Sequence, residues 1–202
     1  MADHSSFREP NSAYDNEDAR LMEAVRAGDR DAFRRLVDSH HHRVLATVAR
    51  MLGPGDSDAE DVAQQVFVRV WQSANRWQPK AKFTTWLFRI TRNLVLNELR
   101  RRRRHYTEPL ETELGDHAAE MRDHHTPGPD SQALEAELQQ AIDRAIAALP
   151  EAQRTAVILR RYEDLPYEDI AEVMGLSVSA VKSLLFRART QLRDELSKYL
   201  SQ

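Results

Sequence analysis

The chain contains no cysteine. That excludes a disulfide framework, a thiolate metal site and a cysteine nucleophile, and it suits a reducing cytoplasm. Aromatic residues make up only 7% of the 202 positions, so any cores are small and mainly aliphatic. No apolar run approaches the length that spans a bilayer, so no membrane insertion is expected. The opening "MADHSSFREPNSAYDNED" lacks the apolar stretch of a signal peptide. Strict apolar–polar alternation, the mark of a half-buried strand, is missing throughout. So is a glycine-rich phosphate loop, and the Ser, His and carboxylate residues fall into no catalytic spacing. Neither an enzyme nor a cofactor is therefore expected. Net charge is only −3, so nucleic-acid contact would have to come from local clusters.

What is present is helical periodicity in blocks. Residues 1–16 are polar and without period, and read as a disordered tail. Leu21, Met22 and Val25 then form a short apolar stripe that stops near Gly28. Phe33, Leu36, Val37, Val44, Leu45, Val48 and Leu52 continue at helical spacing to "GPG" at 53–55. Ser57-Asp58-Ala59-Glu60 has the pattern of a capping box. It opens a helix with Val62, Val66, Phe67, Val70 and Trp71 on its apolar side. "NRWQPKAKF", residues 75–83, reads as a loop, and a helix from Thr84 to Arg104 follows. From His105 to Ser131 seven acids face one strong base, Arg122, which gives an acidic and irregular linker. Leu134, Leu138, Ile142, Ala145, Ile146 and Leu149 then restart a helical stripe. Pro150 and Pro166 punctuate two further helices. The expected fold is all-α, with two small helical domains, 17–104 and 132–202, joined by the acidic linker 105–131.

The last domain carries a specific pattern. Ile170, Ala171 and Met174 face inward on a short helix, Gly175 ends it, and Leu176 is expected to plug the turn. Ser177 can cap the next helix, in which Val181, Leu185, Ala188 and Leu192 share one face. The other face presents Ser179, Lys182, Ser183, Arg187, Arg189 and Arg193, and no acid lies between Ser177 and Arg193. This is a helix-turn-helix pattern whose second helix fits a major groove. Its small residues allow close approach, and its bases are placed for phosphates or base edges.

The strongest positive feature lies in the first domain. Between Arg89 and Arg104 seven arginines, five of them consecutive, face one acid, Glu98. Lys80 and Lys82 precede them, and Trp77, Phe83, Trp86 and Phe88 interleave. Cations beside aromatics and a loop suit melted DNA, although Trp86 fits a core role better. Asp56, Asp58, Glu60 and Asp61 open the preceding helix. Acids there favour the helix start, and they also suit a basic protein partner. His40, His41 and His42 are consecutive on a helix and point in different directions, so they do not form one metal site. His117, His124 and His125 lie in the linker, where they could tune its charge.

Taken together, these segments resemble the extracytoplasmic-function class of sigma factors in the sigma-70 family. "DAEDVAQQVFVRVWQ" looks like the helix by which that family binds core RNA polymerase. "KFTTWLFRITRNLVLNELRRRRR" looks like its promoter-melting, −10-reading helix. "LPEAQRTAVILRRYEDLPYEDIAEVMGLSVSAVKSLLFRARTQLR" looks like its −35-reading domain. The resemblance implies that Asp58, Glu60, Asp61, Gln64 and Gln65 meet the polymerase clamp helices, with the flap as a further polymerase contact. It implies that the loop around Trp77–Lys82 takes a flipped base, with Lys80, Phe83, Arg89, Arg92, Asn93, Asn97, Arg100 and Arg101 at the −10 DNA. Ser177, Ser179, Ala180, Lys182, Ser183, Arg187 and Arg189 would contact the −35 DNA. The linker would thread the positively lined RNA path of polymerase, and an anti-sigma factor would be a further partner in the cytoplasm. Three positions depart from the family pattern: Gln65 replaces Glu, Asn97 replaces Asp, and Leu184 replaces Arg. The last would exchange a polar donor for an apolar contact, such as one to a thymine methyl. The competing reading is a helix-turn-helix regulator that binds DNA independently of polymerase. It explains the C-terminal domain but neither the arginine run nor the acidic linker.

Overall fold

The computed structural model describes residues 12–78, 82–107 and 129–197. The described residues are helical, with no strand among them. The N-terminal half comprises α1 (Ser12–Arg26), α2 (Arg30–Leu52), α3 (Ala59–Ser73), a single 3-10 turn (Ala74–Arg76) and α4 (Phe83–Thr107). The C-terminal half comprises α5 (Pro129–Ala147), α6 (Glu151–Arg161), α7 (Tyr167–Met174) and α8 (Val178–Glu195). Helix therefore reaches into both expected irregular segments: α1 begins inside the 1–16 tail, and α4 and α5 trim the 105–131 linker at each end. The rest of that linker, with His117, His124 and His125, lies outside the described residues.

The apolar stripes form the core as their spacing requires. Met22, Leu36, Val44, Val48, Val66, Val70 and Leu87 bring α1 to α4 together and are all fully buried. Ile158, Leu159, Ile170, Val181 and Leu185 do the same for α6 to α8. Buried apolar side chains of both halves make one continuous cluster. Across the seam α7 lies on α4, and α6 lies on α2. Trp71, expected on the apolar side of α3, is partly exposed and packs edge-on against Phe33 with ring centroids 5.0 Å apart.

Helix ends follow local chemistry, with two exceptions. Asp29 caps α2 by accepting from the backbone N–H groups of Asp31 and Ala32 at 2.8 and 3.0 Å. The expected box at Ser57 does not form. Asp58 stands at the cap of α3, and its side chain makes no cap bond because it is drawn to an arginine of α4. Leu176 does not plug its turn either, being 42% exposed. Backbone closes that turn instead: Gly175 adopts φ 66°, and the Leu176 N–H donates to the Ala171 carbonyl at 2.9 Å.

The three consecutive histidines diverge. His40 is buried, and its Nε2 lies 3.0 Å from both carboxylate oxygens of Asp18, which ties α2 to α1. His41 instead reaches Glu60 on α3 at 3.3 Å. Replacing Asp18 by Ala leaves the buried imidazole without that partner. The substitution is expected to cost about 1–3 kcal/mol. The urea midpoint should fall while the slope stays unchanged. An unaltered midpoint would mean that the pair contributes nothing to the packing of α1.

Candidate polymerase and nucleic-acid surfaces

On α3 the apolar face is buried and the opposite face is polar. Glu60, Asp61, Gln64 and Gln65 are exposed together on two adjacent turns, and Gln64 Nε2 donates to Glu60 at 3.4 Å. Val68 continues this stripe and is also exposed. Its apolar type gave no sign in the sequence that it would face outward.

Asp58 belongs to a different arrangement. Arg102, the third residue of the arginine run, turns back from α4 to the loop between α2 and α3. It donates to both carboxylate oxygens of Asp56, one of them from Nη2 at 2.9 Å. Nη2 also reaches Asp58 at 2.7 Å, and Nε reaches Glu98 at 2.8 Å. Arg101 grips the same Glu98 with two bonds of 2.8 and 2.7 Å. Two arginines thus share three carboxylates. Hydrogen bonds from Arg101, and then from Arg102, outweigh burial and hold the Glu98 pKa at about 2, against an ordinary 4.5. The Arg102 hydrogen bond likewise lowers Asp56, and Asp56 in turn raises the Arg102 pKa. The run of like charges implied an external anion; at Arg102 the anion is internal.

The other −10 candidates separate by burial. Arg89, Asn93, Asn97 and Arg100 are exposed along α4, with Arg100 donating to Asn97 at 3.2 Å. Arg92 is half-buried, and its desolvation lowers its pKa, partly offset by Glu151. Lys82 lies 3.5 Å from Asp169 of α7. Lys80 lies outside the described residues. Trp77 and Phe83 are corrected: they are 2% and 1% exposed, so neither ring is presented for stacking on a base. Both are core pillars at the two ends of the loop, and Phe83 rests on the His40 ring with centroids 5.2 Å apart. Trp86 is buried as well.

α8 keeps its apolar side inward through Val181, Leu185 and Ala188. The Ser177 hydroxyl accepts from the Ala180 N–H at 3.2 Å and caps the helix. Ser179 and Ser183 lie on the open face, where the Ser183 hydroxyl donates to the Ser179 carbonyl at 3.0 Å. Ala180 is half-exposed, while Lys182, Arg187 and Arg189 are exposed. Leu184 is half-buried and packed on the core cluster, so it serves the fold side of the helix. Phe186, which the sequence pattern passed over, is 71% exposed on the basic face. Among the described residues no group of three or more His, Asp or Glu could hold a metal, and no helix is long and apolar enough to cross a membrane.

The all-α fold agrees with what the chain is similar to. Residues 36–105 match the family model for sigma-70 region 2, and residues 139–192 match that for sigma-70, region 4. The RNA polymerase sigma-H factor of Pseudomonas aeruginosa is 35% identical over 91% of this chain and 96% of its own length. The ECF RNA polymerase sigma-E factor of Escherichia coli strain K12 is 33% identical over 87% of this chain and 92% of its own. Among solved structures, CnrH in complex with the cytosolic domain of CnrY superposes with a TM-score of 0.65. It has 27% identity and covers 90% of this chain and 98% of its own. The sigma factor RpoE of Bartonella quintana, in complex with the anti-sigma factor NepR, has the same fold, with a TM-score of 0.67 at 23% identity. That match covers 82% of this chain and 96% of the other.

The lock between α4 and the loop before α3 has a defined pH response. Because the folded Glu98 pKa is lowered, its stabilisation is fully present above about 4.5 and is lost as pH falls through about 2. Helical circular dichroism under mild urea should follow this loss across that window. Glu98→Gln should start less stable at pH 6 and lose less on acidification. Parallel curves for the two proteins would remove Glu98 from the lock.

Proposed function

The chain belongs to the extracytoplasmic-function sigma factors of the sigma-70 family, and on that premise we propose a division of labour among its helices. The exposed stripe Glu60, Asp61, Gln64 and Gln65 on α3 binds core RNA polymerase, with Asp58 at its edge. Arg89, Arg92, Asn93, Asn97, Arg100 and Arg101 on α4, with Lys80 and Lys82 before them, take the −10 DNA and stabilise it when melted. Ser177, Ser179, Ala180, Lys182, Ser183, Arg187 and Arg189 take the −35 DNA in a major groove. Such a protein supplies binding and positioning, not covalent chemistry, so it acts as no enzyme. It works where polymerase works, in the cytoplasm. A partner anti-sigma factor that covers these faces is part of the same reading.

The observation that carries the reading is the separation of charge by helix. The acid and amide stripe stands on α3, the exposed cations stand on α4, and the basic face of α8 has no acid before Asp194. Phosphate contact supplies affinity, and side chains at the groove supply sequence choice. Melted DNA must also be held against the cost of unstacking, a few kcal/mol for each flipped base. With Trp77 and Phe83 in the core, the segment between them takes that base.

The test is reconstituted transcription with sigma-free bacterial core polymerase and genomic fragments from the source of the chain. Discrete start sites should appear only when the protein is added. Lys182→Ala and Arg187→Ala should each weaken them. Each substitution that removes a phosphate-binding cation should also lower the salt slope of DNA binding by about one. DNA binding without polymerase, and with no new transcripts, would give the protein to the independent-regulator class instead.

A further inference from the structure

Glu163 stands in the turn between α6 and α7, a connection where a carboxylate is ordinarily solvated. Its side chain is only 3% exposed. One carboxylate oxygen accepts from the Thr47 hydroxyl; the other accepts from Arg43 Nε at 3.1 Å, with Arg43 Nη2 at 3.0 Å. Both partners lie on α2, in the other half of the chain. Asp164 beside it has φ 52°, the one non-glycine residue with positive φ among the described residues. That left-handed step, which Asp tolerates better than most residues, sets the turn that directs Glu163 out of its own domain.

The neighbours repeat the theme. The Arg50 guanidinium lies 4.1 Å from the centre of the Tyr162 ring. Lys82 meets Asp169, and Arg103 meets Glu151 at 3.2 Å. Glu151 also offsets the desolvation of Arg92. Acids on α6, α7 and their turn thus meet cations on α2, on α4 and at Lys82 just before it. Lys82 and Arg92 are among the residues given above to −10 DNA.

We propose that Glu163 latches a self-closed state, in which α6 and α7 engage Lys82 and Arg92, two of the cations that promoter DNA takes in the open state. The second half of this statement rests on the reading of α4 above; the latch itself does not. Its energetics suit a device that must open. Burial raises the Glu163 pKa, and the Thr47 and Arg43 contacts only partly counter it. A buried ion pair often returns little more than its desolvation costs, yet removing one partner is strongly destabilising. Such a contact would not hold two separate proteins together. Here the halves share one chain, whose tether gives an effective concentration on the order of millimolar. A ligand that binds the two halves apart then has to overcome the latch together with the apolar contact of α7 on α4.

The absence of native cysteine makes the test direct. Spin labels are placed on Gln72→Cys in α3 and Glu172→Cys in α7, both exposed, and their separation is measured by pulsed electron resonance on the full chain. A single narrow distance distribution is expected without any partner. Arg43→Glu should broaden it, adding Glu163→Arg should narrow it again, and Thr47→Val should broaden it partially. Unchanged helical circular dichroism confirms that each variant is folded. A broad distribution in the parent chain, or a narrow one in folded Arg43→Glu, overturns the latch. The same proteins are then titrated with a labelled single-stranded deoxyoligonucleotide. The opened variant should bind about tenfold tighter or more, because the closed fraction no longer competes. Opening without tighter binding would leave the latch standing and overturn the exclusion of DNA, together with the assignment of α4.

Discussion

Five consecutive arginines repel one another, and the chain settles that repulsion at one of them in a way on which its other surfaces depend. Arg102 gathers Asp56, Asp58 and Glu98, so the loop before α3 is fastened to the far end of α4. The exposed polar stripe of α3 and the exposed cations of α4 are thereby held in fixed relation. Arg100 remains exposed on the outer side of the same turn. Neutralising one arginine by neighbours lowers the cost of presenting others to solvent, where phosphates can reach them. Asp58 has a structural task that its place in a first helical turn would not indicate. Any effect of changing it on polymerase binding therefore includes an effect on the seating of α3.

Local order is legible in the residues wherever one element decides it. The 3.6-residue stripes locate the core faces, because a helix buries a stripe whatever it packs against. Gly175 and Ser177 mark their turn because a left-handed residue and a cap have few chemical solutions. Legibility fails where two distant segments share a charge. Nothing within a few residues of Asp56 points to Arg102, 46 positions later, and nothing near Thr47 points to Glu163. Aromatics beside cations are ambiguous in the same way. Trp77 and Phe83 fit either a stacking platform or a small core, and burial decides for the core. The apolar type of Leu176 suggests a plug for its turn, although backbone hydrogen bonds already close that turn. Leu184 sits on the boundary between the two faces of α8, where type alone cannot tell the fold side from the DNA side.

The same carboxylate-for-phosphate logic appears at three scales. Within α4, Glu98 pairs Arg101 and Arg102 across single turns of helix. Between elements, Asp56 and Asp58 complete the shell around Arg102. Between halves, Glu151, Glu163 and Asp169 reach Arg103, Arg43 and Lys82. A net charge of −3 is therefore compatible with a nucleic-acid-binding chain. Arg43, Lys82, Arg101 and Arg102 are answered internally, while Arg89, Arg100 and the cations of α8 stand exposed.

The choice of a carboxylate rather than a leucine at the seam has a physical reason. An apolar plug at position 163 would close the halves more firmly, since it carries no desolvation penalty. It would also leave an exposed apolar patch in the open state, at a surface that must then receive other macromolecules. A charged latch re-solvates when it opens, and so do Arg43 and Arg50. The apolar stripes of α1–α4 and of α6–α8 each pack within their own half, and they also meet across the seam, where α7 lies on α4. Opening therefore costs the ion pairs together with the apolar contact of α7 on α4, and a ligand that takes both halves apart has to supply both.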